Sequence, residues 1–218
     1  MSTFKFEMHF HTEESSPCGK IAAKKGVELY QKAGYDGIVV TDHFSKSVFG
    51  GPQERTWAEI CESFLKGYRL AKQSVRDSEF QVLLGMEIRF PDDDNDFLVY
   101  GIDEEFPKQH PWIYMKELSD LFDISKGKNL IIVQAHPFRD SCHLAPVEFL
   151  HGIEVYNGNP RHNSRNELAK KAAKKHRLLE TYGSDFHQME DIARTYIELD
   201  KKPETEQELV ALLMNLSL

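Results

Sequence analysis

The chain has 218 residues, of which 40% are hydrophobic and 28% are charged, a composition unlike that of disordered or collagen-like chains. At this length we expect one globular domain, residues 1–218, that buries its core without disulfides or a structural metal. The formal net charge of −8 disfavours a general nucleic-acid binder, which needs a basic face.

The apolar segments are too short to cross a membrane, because the longest, such as Leu130–Val133, fall far below the roughly 18–20 residues that a bilayer requires. The first residues lack the basic and apolar regions of a secretory signal. The three cysteines, Cys18, Cys61 and Cys142, are widely separated. This sparse, odd number suits a reducing compartment, so we expect a cytoplasmic protein without a membrane partner.

Short apolar segments bounded by Gly, Asp or Asn predict strands, and longer segments with apolar residues three and four positions apart predict helices. Gly34 marks the end of the first helix, and Ser164 with Glu167 has the spacing of a capping box. The predicted strands are Phe4–Phe10, Gly37–Thr41, Val82–Ile88, Phe97–Gly101, Leu130–Ala135, Ile153–Tyr156, Leu178–Tyr182 and Thr195–Leu199. The predicted helices are Lys20–Ala33, Thr56–Asp77, Trp112–Lys126, Ser164–Lys175 and Thr205–Leu216.

The alternation of strands and helices predicts an α/β fold whose strands are parallel, either a small (β/α) barrel or an open doubly wound sheet. In the first strand, Phe and Met alternate with polar residues, which places Glu7, His9 and His11 on one face. A face of this composition is unsuited to an apolar core. It predicts the polar interior of a barrel with a site at one end.

Polar clusters follow five of the strand-like segments, and the carboxyl ends of parallel strands lie on one side of the fold. The clusters are His9-Phe10-His11, Thr41-Asp42-His43, Gly85-Met86-Glu87, Ala135-His136-Pro137 and Gly183-Ser184-Asp185-Phe186-His187. Imidazole and carboxylate are ligands for Zn²⁺, Mn²⁺ and Fe, and the clusters supply enough of them for more than one ion. A metal centre of this kind activates water for attack on a phosphoryl group.

Four other histidines, His110, His143, His151 and His176, lie outside the strand ends and are interpreted as surface or loop residues. In the acidic run Asp92–Asp96, the first three carboxylates most simply belong to a solvated loop.

The five clusters resemble, in the same order and over nearly the whole chain, the motifs of the PHP family, named for polymerase and histidinol phosphatase. His9-Phe10-His11-Thr12 resembles the first motif and Asp185-Phe186-His187 the last. The resemblance implies a distorted (β/α)7 TIM-like barrel with two or three divalent metal ions at the carboxyl ends of the strands. It also implies hydrolysis of phosphoesters.

The resemblance implies metal ligands residue by residue. These are His9, His11, Glu87 and Asp185 for one ion, Glu87 and His136 for a second, and His43 and His187 for a third. Glu87 would bridge two ions, and we predict Glu87, Asp185 and His187, with Arg139, as the catalytic residues.

The chain departs from the family pattern at two positions. After the first motif, Glu14 is our first choice for a ligand of the third ion and Cys18 the second. At the start of the fourth strand, Asp96 stands where related phosphoesterases place a histidine. Because carboxylate oxygens favour harder ions, we expect Mn²⁺ to activate better than Zn²⁺, with iron also acceptable.

Substrate binding is predicted for residues that follow two strands. Arg139 lies just past His136, where its guanidinium would grip a phosphate with two hydrogen bonds. Asn157 and Arg161 belong to a loop rich in donors, in which Arg165 is interpreted as the start of a helix.

The leading hypothesis is therefore a metal-dependent phosphoesterase that acts on a small phosphorylated metabolite or a nucleotide. Histidinol-phosphate phosphatase is the alternative within the same enzyme class. A metal-binding regulatory module without catalysis is the alternative from another class. The sequence leaves the oligomeric state open.

Overall fold

A computed structural model describes residues 3–216 of the chain. Within this range the chain alternates strands with helices, as the sequence predicts. The strands are β1 (Phe4–Phe10), β2 (Gly37–Val40), β3 (His43–Ser45), β4 (Gln81–Arg89), β5 (Phe97–Tyr100), β6 (Ile131–Gln134), β7 (Gly152–Asn157), β8 (Leu179–Gly183) and β9 (Ile197–Leu199). The helices are α1 (Ala23–Lys32), α2 (Lys46–Phe49), α3 (Trp57–Ser74), α4 (Glu105–Gln109), α5 (Leu118–Lys126), α6 (Asn166–His176) and α7 (Glu206–Leu216).

The strands form one continuous sheet in the order β8-β7-β6-β5-β4-β2-β1-β9, with β3 paired to β4. The sheet curls until its first strand meets the end of β8. There the Phe186 amide donates to the His9 carbonyl at 3.1 Å, and the His11 amide donates to the Phe186 carbonyl at 3.0 Å. This contact nearly closes the sheet into a barrel, so the barrel prediction is confirmed over the open sheet.

The prediction that all strands are parallel is wrong for β5 and β9. β5 runs antiparallel to both β4 and β6, and β9 runs antiparallel to β1. The connection from β4 to β5 comprises only residues 90–96, whereas a parallel crossover needs about a dozen residues or more. The acidic run Asp92–Asp96 therefore forms a tight reversal at the end of β4, and its last residue lies beside the site described below.

Three helix starts differ from the prediction by two residues or more. The first is that of α1, which begins at Ala23 and not at Lys20. The first helical residue of α6 is Asn166 and not Ser164, because Arg165 takes a left-handed conformation with φ of 47°. The Ser164 hydroxyl accepts a hydrogen bond from Arg139 instead of capping the helix, so the capping-box prediction is wrong. Within 112–126, Trp112 is also left-handed, and a 3₁₀ turn precedes α5. Gly34, with φ of 79°, follows the end of α1 as predicted.

The apolar core has two layers. One joins the sheet to the helices around it, including α1, α3 and α6. The second takes members from opposite strands, such as Met8 of β1 and Leu98 of β5, and from α7 but no other helix, so it fills the barrel interior. Leu209 and Leu213 of α7 close this interior at the end away from the polar clusters, since Gln207 donates to Gly101 at the far end of β5. No helix within residues 3–216 combines the length and the apolar character needed to cross a membrane.

Candidate metal centre

The end of β1 directs two histidines toward a common point. The pairing of β1 with β2 shifts register between Glu7 and Phe10, and this irregularity breaks the simple alternation of faces. The Glu7 carboxylate therefore accepts a hydrogen bond from Tyr30 of α1 at 2.9 Å, which corrects the prediction that Glu7 shares a face with the histidines. His9 and His11 both lie fully buried beside Asp185 Oδ1, at 3.5 and 3.6 Å from their Nε2 atoms.

Glu87 is the centre of the cluster. Its Oε1 lies 3.2 Å from His9 Nε2 and 3.4 Å from His136 Nε2. Its Oε2 lies 3.3 Å from His11 Nε2 and 2.6 Å from His43 Nδ1. Each carboxylate oxygen thus faces two imidazoles, the arrangement that a carboxylate shared by two cations requires.

The atoms of this cluster are buried but unsatisfied. Within residues 3–216, His9 Nε2, His11 Nε2 and both Glu87 oxygens make no hydrogen bond, despite the short distance to His43. The His9 Nδ1 atom lies 2.9 Å from Glu154, a carboxylate that accepts the proton on that nitrogen, so Nε2 is the atom of His9 that would bind a cation. Leaving such groups unpaired costs about 1–3 kcal/mol each, so the donor set fits a bound cation better than an empty cavity.

Strained backbone positions the last carboxylate. Asp185 is left-handed with φ of 53°, and His136 has φ of 27°. Conformations of this kind cost about 1–3 kcal/mol in a residue with a side chain, and they persist where the surrounding structure imposes them. At Asp185 the strain turns Oδ1 toward His9 and His11.

Three groups of side chains place their ligand atoms within 4.8 Å of one another. The groups are His9, His11 and Asp185; His43, Glu87 and Asp96; and His11, His43 and His187. All the predicted ligands except Glu14 and His136 occur in these groups, and His136 joins them through its contact with Glu87. The arrangement offers the side chains that a divalent metal ion binds.

The charge balance of the cluster favours a cation. Burial by itself would raise the pKa of Glu87, but His43 and His9 outweigh it and hold that pKa well below its usual range. Burial, together with His187 and His43, lowers the pKa of His11, which keeps this imidazole neutral with a free lone pair. Burial would also lower the pKa of His9, yet Glu154, Asp185 and Glu87 raise it, so a bound cation must displace a proton there.

Glu14 is not part of the cluster, which corrects its assignment as a ligand. Its carboxylate accepts a hydrogen bond at 2.9 Å from the Ala23 amide, one of the free N–H groups at the start of α1. The second choice, Cys18, is the residue that approaches the cluster: it lines the same opening as His43 and His187. Burial alone would raise the pKa of the Cys18 thiol, but the neighbouring His187 and His43 lower it to about 6.

Asp96 lies at the edge of the cluster, where its Oδ2 is 3.8 Å from His136 Nε2. Both of its oxygens also accept hydrogen bonds from Arg89, one of them at 2.8 Å from Nε. Arg89 was not predicted from the sequence. Its position at the end of β4, two residues after Glu87, is the sequence feature that could have indicated a place in the site.

Glu154 is the second residue that sequence reasoning missed. It is buried in β7, where one oxygen lies 2.9 Å from His9 Nδ1 and the other accepts from the His136 amide at 3.0 Å and the Asn157 amide group at 2.9 Å. A lone carboxylate between Ile153 and Val155 of a buried strand was the signal that could have indicated it.

The predicted substrate-binding residues have different surroundings. Arg139 Nη2 donates to Asp185 Oδ2 at 2.6 Å and to Asn157 Oδ1 at 2.8 Å, so this arginine supports a candidate ligand. Asn157 is buried and joins Arg139 to Glu154. Arg161 holds Asp191 through two hydrogen bonds and lines the opening above the cluster, together with His162.

The four histidines interpreted as surface or loop residues lie outside the three ligand groups. His151, for example, accepts the Ile132 amide through Nδ1 at 3.1 Å. Arg165 precedes the first residue of α6, as expected, and its guanidinium donates to the Phe138 carbonyl.

Comparison with known proteins relates the chain to a family and to several solved structures. A family model described as PHP-associated matches residues 163–215. No curated protein sequence matches the chain.

Three solved structures share the fold. A two-domain protein from Bacteroides vulgatus containing a predicted PHP-like metal-dependent phosphoesterase has a TM-score of 0.71 at 19% identity; the match covers 99% of this chain and 64% of that one. This chain therefore spans less than two thirds of the two-domain protein. PsfC from Pseudomonas syringae has a TM-score of 0.66 at 14% identity, covering 97% of this chain and 88% of that one. An amidohydrolase from Chromobacterium violaceum, with bound sulfate and no metal, has a TM-score of 0.54 at 15% identity. The match covers 94% of this chain and 96% of that one.

Proposed function

We propose that this chain, which is a PHP-domain protein with the distorted (β/α)7 TIM-like barrel expected from its motifs, is a metal-dependent phosphoesterase. The proposal covers residues 1–218 as a single domain acting on a small phosphorylated metabolite or a nucleotide. The proposal has two parts: the protein hydrolyses its substrate with the help of bound metal, and that substrate is a phosphoester.

The observation that carries the proposal is the set of buried lone pairs around Glu87. His9 Nε2, His11 Nε2 and both Glu87 oxygens converge without hydrogen bonds within the described part of the chain. Side chains that serve only the fold satisfy such atoms with protein partners. A divalent cation is the partner that suits neutral imidazoles and an ionised carboxylate together.

Three ion sites are proposed on the residues present. His9, His11, Glu87 and Asp185 would hold one ion; Glu87, His136 and Asp96 a second; and His43, His187 and Cys18 a third. Divalent cations bound there would polarise a phosphoryl oxygen and lower the pKa of a water molecule. The proposed metals are Mn²⁺, Fe²⁺ or Zn²⁺, with Mn²⁺ the better activator.

The surrounding cations favour a phosphoester over an amide. Arg89, Arg139 and Arg161 line the opening together with His162. Arg139 keeps a buried Nε atom without a partner among residues 3–216, while its Nη2 holds Asp185. A phosphate oxygen is a fitting acceptor for that N–H, because its charge strengthens the hydrogen bond, whereas the oxygen of an amide is uncharged.

The test is a substrate panel on the purified protein reloaded with Mn²⁺. We expect turnover of generic phosphomonoesters such as p-nitrophenyl phosphate and no turnover of amides. Amide hydrolysis without phosphoester hydrolysis would overturn the proposed phosphoester substrate but would leave metal-dependent hydrolysis standing. Bound metal with no hydrolysis of either class would favour a regulatory module, and activity on histidinol phosphate alone would identify the narrower alternative.

A further inference from the structure

A second chamber opens beside the candidate metal centre. The first, with a volume of about 200 Å³, lies over the cluster and is lined by the arginines described above. The second, of about 250 Å³, adjoins it and shares four lining residues with it. The shared residues are Cys18, His43, Arg89 and Asp96. A substrate held at the metal centre would therefore extend directly into the second chamber.

The walls of the second chamber differ in chemistry from those of the first. Beyond the shared residues it is lined by Pro17, Val48 and two serines, Ser45 and Ser47, and by no further charged side chain. Its apolar walls favour burial of carbon atoms at roughly 25 cal/mol per Å² of surface. This chamber suits the organic part of a ligand more than a second anion.

The two serines add one directed hydrogen bond. Ser45 Oγ and Ser47 Oγ lie 2.8 Å apart, so one hydroxyl donates to the other. The accepting hydroxyl keeps its own hydrogen, because a hydroxyl donates only once. That hydrogen is available to an oxygen of a ligand in the chamber.

Apart from the thiol and the imidazole, the charged side chains that line the second chamber within residues 3–216 belong to an ion pair. Arg89 and Asp96 hold each other through two hydrogen bonds, so the charge of Arg89 is already balanced. The chamber continues past Ser45 and Ser47 into a groove lined by two acidic and two basic side chains, Asp92, Asp93, Lys46 and Arg89. Because Arg89 is already paired with Asp96, the described residues that line the second chamber itself offer a second phosphate or a carboxylate no unpaired Lys or Arg, and burying an unpaired anion there is costly.

We infer that the second chamber is the subsite for the alcohol portion of the substrate, and that it selects phosphomonoesters of small, uncharged alcohols. This inference rests on the proposed function and adds the substrate class. The phosphate occupies the chamber lined by Arg139 and Arg161, and the carbon skeleton lies against Pro17 and Val48.

The experiment measures binding of two phosphonates to the Mn²⁺-loaded protein by calorimetry, which needs no turnover. Phenylphosphonate should bind about tenfold more tightly than methylphosphonate, since a buried ring gains apolar contact. Ser47→Phe fills the chamber from an exposed position and should remove this preference while leaving methylphosphonate affinity within about twofold. Ser74→Phe, at the exposed end of α3, is the matched control and should behave as wild type.

The charge of the alcohol is tested by kinetics. The kcat/KM for glycerol 1-phosphate should exceed that for 3-phosphoglycerate by about tenfold, because the carboxylate of the latter would be buried in the chamber without an unpaired Lys or Arg to bind it.

The outcomes separate the two proposals. If methylphosphonate binds but phenylphosphonate gains nothing, or if Ser47→Phe leaves the preference intact, the subsite is wrong and the phosphoesterase stands. Equal or better use of 3-phosphoglycerate would likewise overturn the selection against charge. If neither phosphonate binds and no phosphoester is hydrolysed, both proposals fail.

Discussion

At one end of the barrel, Leu209 and Leu213 of α7 belong to the same buried apolar cluster as Phe6 and Met8 of β1. At the other end, a few residues further along β1, the interior is lined by histidines and carboxylates, and within residues 3–216 both Glu87 oxygens and several imidazole nitrogens have no hydrogen-bond partner. We call these regions the floor and the mouth. The floor gains stability from burial, whereas the mouth carries buried polar groups that only a ligand would satisfy.

Stability and chemistry are therefore separated along the strands of the barrel. A substitution at the floor should lower the free energy of unfolding without changing the ligands. A substitution at the mouth should change metal binding or activity and cost little stability.

The largest effect is expected at the mouth for Glu87→Gln. This change keeps the shape but removes the negative charge that two ion sites would share, so activity should fall by about a thousandfold or more. The protein should remain folded by circular dichroism, because glutamine has nearly the same size and shape as glutamate. His187→Ala, which touches only the third ion site, should lose less activity. Wild-type activity of Glu87→Gln would remove its bridging role.

The matching change at the floor is Leu213→Ala. Leu213 is fully buried in the barrel interior, so its truncation should cost about 2–5 kcal/mol of unfolding free energy. The metal content of the folded protein should be unchanged. Leu168→Ala, at a 45% exposed position on α6, is the control and should change stability by less than about 0.5 kcal/mol. If Leu213→Ala released metal from the folded protein, floor and mouth would not be independent.

Arg139→Ala tests a residue that serves both the fold of the mouth and the substrate. Since Arg139 holds Asp185 at 2.6 Å, its loss should weaken metal binding by about 10–100-fold as well as raise KM. Arg161→Ala makes a useful comparison, because Arg161 bonds to Asp191 and not to a proposed ligand, and it should raise KM alone. Unchanged metal affinity in Arg139→Ala would restrict this arginine to phosphate binding.

Cys18→Ser tests the third ion site. In the Co²⁺-loaded protein, a thiolate ligand gives a near-ultraviolet charge-transfer band, which should disappear in Cys18→Ser and persist in Glu14→Gln. Affinity for the most weakly held ion should fall by about tenfold, as expected when a soft ligand is removed. A band that survives in Cys18→Ser would exclude the thiol from the metal site.

The smallest effect is expected for Asp96→His. Exchanging an oxygen ligand for imidazole should shift the preference from Mn²⁺ toward Zn²⁺ by about threefold, since the other ligands remain. The release of Arg89 from its ion pair is a side effect that Asp96→Asn controls. An unchanged preference would remove Asp96 from the ligand set.

The elements and the polar clusters were predictable because they depend on local patterns. The alternation of side chains located the strands, and the carboxyl ends of parallel strands brought His43, Glu87 and His136 together. The predictions that were wrong concerned features that depend on residues distant in the sequence. The direction of β5, the face of Glu7 and the role of Ser164 follow from strand pairing, a register shift and an arginine 25 residues away.

The error at Glu14 has a different origin. Its spacing after the first motif was acceptable, but a nearby helix start offered a free amide that the carboxylate accepts. Glu154 was missed because it does not lie at a strand end: it contacts the His9 imidazole and the His136 amide from within β7. Supporting residues of this kind carry little signal in a single sequence beyond a charge within a buried strand.

The most direct test of the account combines elemental analysis with phosphoester turnover in one preparation, before chelation, after chelation and after reloading with Mn²⁺. The account predicts that the protein binds at least two divalent ions, that chelation abolishes turnover and that Mn²⁺ restores it. Undiminished turnover by the metal-free protein, or failure to bind any divalent ion at the mouth, would contradict it.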